Sequence, residues 1–269
     1  LLQQKTAVLH DAYLSNIGHK RPGVRKGLPI EEAEQKAAAL LKQAAPLIKK
    51  QQAPSSRQRL STGGTIHQVH YPARIQPGQL RIGVDYYLWI PTGVSKLRGV
   101  IVHQHGCGVG ASIGGRTAAD DLHWQALAKK WSCALLGSMY EPRREINCRW
   151  WCDSRNGSND RFLQALDHFA SVTRHAELKT APWCLWGHSG GGFWASLVQA
   201  RHPDQVVAIR FRSGTAFGYW TKGEIQVPRL SDVAYGIPMI GNPGLKEKGD
   251  SRFHTAWDGL RDMRAEYLK

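Results

Sequence analysis

The 269-residue sequence has no apolar run near the ~18 residues that a membrane-spanning helix requires, so it offers no transmembrane segment. Five cysteines are too few to staple a chain of this length, which excludes a disulfide-built scaffold. No Cys/His set has zinc spacing. His103 and His105 stand two apart on one strand face without a third ligand nearby, so neither a metal nor a cofactor is called for. Acidic residues are scarce as well: 21 Asp and Glu against 36 Lys and Arg leave a formal net charge of +15. That field attracts anionic surfaces or substrates. No zinc-finger, RRM or helix-turn-helix signature accompanies it, so nucleic acid is not an expected partner. Internal repeats are missing too.

What is present is a globular composition, 42% apolar and 21% charged, long enough for one large domain or two small ones. The charge is uneven, with eleven Lys and Arg against four Asp and Glu in residues 1–60. Residues 1–62 read as a basic helical segment and linker. An Ala/Leu/Lys helix from Glu31 to Gln51 is interrupted at Pro46, and Ala53-Pro54-Ser55-Ser56 follows as the linker. From 63 to 269 the texture changes. Strands are expected at 65–73, 82–90, 99–106, 133–139, 183–187, 206–212 and 237–241, and helices near 118–131, 159–173 and 191–201. Leu260, Met263 and Tyr267 place a further helix at the end. This rhythm predicts an α/β domain, a mostly parallel sheet with helices on both faces and a ligand site at the carboxyl ends of the strands.

Two motifs carry chemistry. Trp186-Gly187-His188-Ser189-Gly190-Gly191-Gly192 follows an apolar strand and opens a helix, the setting in which Gly-x-Ser-x-Gly lifts a serine above a sheet on a tight turn. His105-Gly106-Cys107-Gly108 ends an earlier strand. A serine nucleophile needs backbone N–H groups aimed at the developing oxyanion; one is expected from Gly190, the other from Cys107, with Gly108 in reserve.

With those two motifs, the stretch from about 65 to 269 resembles the α/β-hydrolase superfamily. It is similar to secreted bacterial esterases related to polyhydroxyalkanoate depolymerases and to feruloyl or acetylxylan esterases. The resemblance implies a Ser, Asp/Glu, His triad in that chain order, with the acid after a late strand. Glu247 is the expected acid and Asp250 the alternative. For the base, His202 reads as solvent-facing, His254 lies too close in sequence to the acid, and the turn aims His188 elsewhere. The chain opens at Leu1 without Met and closes inside a helical pattern. The expectation is therefore a piece of a longer protein, lacking the final strand, with the histidine beyond Lys269. Without a base Ser189 is a weak nucleophile, and this chain alone is expected to be poorly active.

Aromatic pocket walls are expected from Trp150 and Trp151 in one loop and from Phe217, Tyr219 and Trp220 in another. Arg143, Arg144, Arg149 and Arg155 read as a solvated basic loop that could meet a substrate carboxylate. Cys107, Cys133 and Cys184 read as small core hydrophobes, while Cys148 and Cys152 are close enough to pair. The function expected is hydrolysis of a small or polymeric carboxylic ester through an acyl-enzyme, in a secreted or periplasmic protein. A peptidase of the prolyl-oligopeptidase type shares the elbow, but 1–62 cannot form its propeller. A non-catalytic binding module of the same fold is the other alternative.

Overall fold

In the computed structural model, residues 63–141, 147–226, 228–249 and 256–268 are described, with Gln35 and Ala39, both helical, the only such positions before them. The chain divides into two units, Leu1–Leu60 and Ser61–Lys269. The rest of the expected Glu31–Gln51 helix and the linker lie outside the described residues, as do Arg143, Arg144, Asp250 and His254.

Seven strands form one sheet: β1 Gly64–Tyr71, β2 Val84–Pro91, β3 Gly99–Gln104, β4 Cys133–Tyr140, β5 Trp183–His188, β6 Val206–Arg212 and β7 Met239–Asn242. Their spatial order is β1-β2-β4-β3-β5-β6-β7. β1 pairs with β2, and β2 with β4, antiparallel; every later pairing is parallel. β3 is buried along its whole length, apolar through Val100–Val102 before His103 and Gln104, as suits a parallel strand covered on both sides, whereas β1 at the edge largely alternates.

The helices that place the site are α1 Val109–Asp120 and α2 Leu122–Lys130 after β3, α3 Arg149–Cys152 and α4 Ser158–Val172 after β4, and α5 Gly190–Arg201 after β5. Beyond β6 come α6 Phe217–Thr221, α7 Asp232–Tyr235 and, after β7, α8 Trp257–Tyr267. The single helix expected over 118–131 is broken at Asp121, whose carboxylate accepts the His123 and Trp124 amides and so caps a new helix.

The main core lies on one face, where Val100, Val102, Leu185, Ile209 and Phe211 meet Phe162 and Phe169 of α4 and Trp194 and Val198 of α5. On the other face Trp89, Ile101, Cys133, Leu135 and Ala128 of α2 form a smaller cluster. That covering stops short of the last strands. Helices cover both faces, as expected, but Val207, Arg210, Arg212 and Ile240 are exposed, so among the described residues the covering of the second face stops before the last strands.

Candidate active site

β5 delivers Ser189 to the carboxyl edge of the sheet and α5 starts immediately after it. Ser189 holds φ +52° and ψ −116°, a backbone conformation that an L side chain rarely adopts. The strain is enforced by neighbours. The Ser189 amide donates to Arg212 O (2.9 Å), and its own carbonyl accepts from Gly192 (2.9 Å) and Phe193 (3.1 Å), the first turn of α5. A Cβ on Gly191 would run into the Gln104 carbonyl at the end of β3, so only glycine lets the helix start this close to the sheet. Among the described residues, no group hydrogen-bonds the Ser189 hydroxyl, which does not cap the helix that follows it.

The turn at 105–108 comes beside the elbow. A Cβ on Gly106 would lie 2.9 Å from Ser189 Cβ, and one on Gly190 only 3.5 Å from the Cys107 nitrogen. Among the described residues, neither the Cys107 nor the Gly190 amide has an acceptor. Two backbone donors therefore stand side by side next to the serine, one of them at a helix N-terminus where partial positive charge collects.

The cysteines pair differently from expectation. Cys107 is bonded to Cys148, and Cys152 is a free, buried thiol. Cys107 is exposed in the turn and so is not a core hydrophobe; Cys133 and Cys184 are free thiols packed on the smaller cluster. A four-residue helix starting at Arg149 turns Cys148 toward the 105–108 turn instead of leaving it to pair locally, a long-range placement that spacing along the chain cannot reveal.

Glu247 lies in the loop after β7, where its carboxylate accepts the Gly244 amide (2.6 Å). It is also close enough to His188 for its charge to raise that ring's pKa, against burial and Arg212, which together hold His188 below the ordinary value. His105 is lowered by burial and then Arg212. His202, expected to face solvent, closes the far end of α5, where its ring meets Asn159 Oδ1 (2.9 Å) and Trp183. That end is remote from Ser189.

Only some of the expected aromatics have free surface. Trp151 is 1% exposed and stacks on Tyr140 with ring centroids 4.6 Å apart, and Phe217 is also buried, so both belong to the core. Trp220 is buried as well. Trp150 and Tyr219 are half-buried, and Arg149 lies over the Tyr219 ring at 4.3 Å while also reaching Glu224 (3.4 Å). Arg155 makes a two-pronged bond to Asp153 (2.8 and 2.7 Å). These two guanidinium groups are thus engaged within the chain.

Sequence reading missed a cleft of about 500 Å³ on the half-covered face, lined by His103, His105, Trp124, Trp186, Arg210 and Arg212 among others. His103 stacks on Trp186 (4.1 Å), and burial, followed by the charge of His105, lowers its pKa to about 3. The register that lines up His103, Trp186 and Arg210 across three strands is the only signal for it.

No protein-family model matches the chain, and no curated protein matches it. The solved structure of poly(aspartic acid) hydrolase-1 from Sphingomonas sp. KT-1 matches with a TM-score of 0.50 at 14% identity, over 78% of this chain and 89% of that one. The chain has the α/β-hydrolase fold. An acetyl xylan esterase from Aspergillus awamori aligns at a TM-score of 0.40 and 15% identity over 55% of this chain and 51% of its own, so the chain spans about half that enzyme's length. The fluorophosphonate-binding serine hydrolase F of Staphylococcus aureus aligns at 0.41 and 13% over 64% and 65%. In this fold, the carboxyl edge of the sheet, where Ser189 and the 105–108 turn meet, is the place for a ligand.

Proposed function

We propose that this chain is a serine hydrolase acting on carboxylic esters. The observation that carries the reading is the strained Ser189 backbone at the β5–α5 elbow, with two free amides beside it. Strain of this kind costs about 1–3 kcal/mol and persists where it serves a site. In the reaction Ser189 Oγ attacks the ester carbonyl carbon, the Cys107 and Gly190 amides receive the negative oxygen, and the alcohol leaves with a proton. Water then attacks the acyl-serine, returning the acid and the free hydroxyl. The proton of Ser189 needs a histidine, which Glu247 would orient as the acid of the triad.

Trp150 and Tyr219 offer half-exposed aromatic surface for the acyl or alcohol group. The Cys107–Cys148 disulfide fits an oxidising compartment and supports export.

The absence of any hydrogen bond to the Ser189 hydroxyl among the described residues favours a second reading, a binding module on the same fold. Fluorophosphonate labelling decides between them. In the full-length protein the hydrolase reading expects stoichiometric labelling, and none of Ser189→Ala. Folded full-length protein that resists the probe, or a Ser189→Ala variant that still labels, overturns it.

A further inference from the structure

Three sulfurs gather at the mouth of the 105–108 turn. Those of Cys107, Cys148 and Cys152 lie within 4.8 Å of one another. Cys107 and Cys148 are bonded, their Cα atoms 5.6 Å apart across 41 residues of sequence. The bond touches the elbow directly: a Cβ on Gly190 would strike Cys107 Sγ and lie 3.0 Å from Cys148 Sγ. One wall of the space in front of the Gly190 amide is therefore the disulfide itself. At its other end Cys148 leads straight into Arg149, which covers Tyr219. The start of the turn is held by other contacts, since Gln104 Nε2 donates to His105 O (3.3 Å), the His105 ring packs on Trp186 and His188, and Gly106 is buried; its exposed end at Cys107 and Gly108 has less. Gly108 gives the following helix no side-chain cap, and among the described residues the Cys107 amide has no acceptor.

We propose that Cys148 is a positioning residue, acting through its bond to Cys107: the disulfide clamps the Cys107 amide beside that of Gly190, and reduction by a dithiol releases it and switches the site off. This deepens the serine-hydrolase reading and rests on it for the effect on rate. The step balances. A dithiol thiolate attacks the exposed Cys107 Sγ, the Cys107–Cys148 bond breaks, and Cys148 leaves as a thiolate that takes up a proton. The second thiol of the reductant then displaces Cys107 from the mixed disulfide. The reductant ends as a cyclic disulfide, and the protein as two thiols.

Cys152 stands one helical turn beyond Cys148 and does not compete for it. Burial pushes its thiol up to about 12, so at neutral pH it stays protonated and does not attack the neighbouring disulfide.

The full chain is compared before and after dithiothreitol, with free thiols counted by alkylation and intact mass. Oxidised protein should show three free thiols among the five cysteines, and reduced protein five. Two readouts follow. Amide hydrogen exchange of the peptide spanning 109–116, the first turns of the helix that the 105–108 turn leads into, should speed up about tenfold on reduction while β3 and α5 keep their protection. Turnover of p-nitrophenyl acetate should lose about tenfold or more in kcat with KM nearly unchanged, since an oxyanion donor acts on the transition state. Reoxidation should restore both. Cys148→Ser should match the reduced protein and ignore dithiothreitol, whereas Cys152→Ser should respond as the parent does. Unchanged exchange at 109–116 in fully reduced protein overturns the clamp, and so does a reduced protein that keeps its kcat. Faster exchange at 109–116 with no turnover of the full-length protein in either state upholds the clamp and defeats the hydrolase reading instead.

Discussion

Ser189 shows how a single residue can work against its own fold. Its positive φ lies in territory that glycine occupies at little cost. Ser189→Gly should therefore raise stability by roughly 1 kcal/mol in urea denaturation while abolishing fluorophosphonate labelling. A destabilised Ser189→Gly chain would mean that the elbow is not strained. His103 makes a second prediction. Its pKa in the folded chain, about 3, lies well below the unfolded value near 6.5, so the unfolded chain binds the extra proton first. The stability this neutral ring contributes is complete above about pH 6.5 and drains away as pH falls toward 3. Going from pH 7 to pH 5 should cost about 2 kcal/mol, and His103→Gln should flatten that slope. Burial also lowers His105 and His188, which act in the same direction.

At the scale of elements, α3 divides the labour of two adjacent tryptophans. A helix of four residues, Arg149–Cys152, points Trp151 into the core against Tyr140 and leaves Trp150 half outside. Trp151→Ala should cost about 3–5 kcal/mol and, on the hydrolase reading, leave the KM of the remaining folded protein unmoved. Tyr219→Ala should do the reverse, raising KM for aryl esters severalfold with a small effect on stability. Equal KM values for the parent and Tyr219→Ala would remove that ring from the pocket. The strands and the long helices were legible in the sequence because their apolar periodicity is local. The breaks were less so: α1 and α2 part at Asp121 because a carboxylate caps the second helix, a competition that periodicity alone does not resolve.

Across the whole molecule, the Cys107–Cys148 bond closes a loop of 41 residues in sequence separation, which in the chain-entropy account contributes about 4 kcal/mol. Reduction, or the Cys107→Ser/Cys148→Ser pair, should lower the urea midpoint accordingly. An unchanged midpoint would show that the unfolded chain is already held compact there. The sheet face that is half covered among the described residues is the other feature of this scale. β6 sends Ile209 and Phe211 into the core and Arg210 and Arg212 outward, an alternation that a strand with one covered face requires.

The α/β order, the Gly-x-Ser-x-Gly elbow and the neighbouring His-Gly-Cys-Gly turn were all determined by the sequence itself, because each depends on residues close together in the chain. The glycines of the elbow are legible for the same reason: a strained strand-to-helix turn has few residues that can make it. Which cysteine joins Cys148, which tryptophan is wall and which is core, and where His103 meets Trp186 and Arg210 were decided only by tertiary structure. Those are distances between residues that the sheet order brings together from tens of positions apart, and no local pattern carries them.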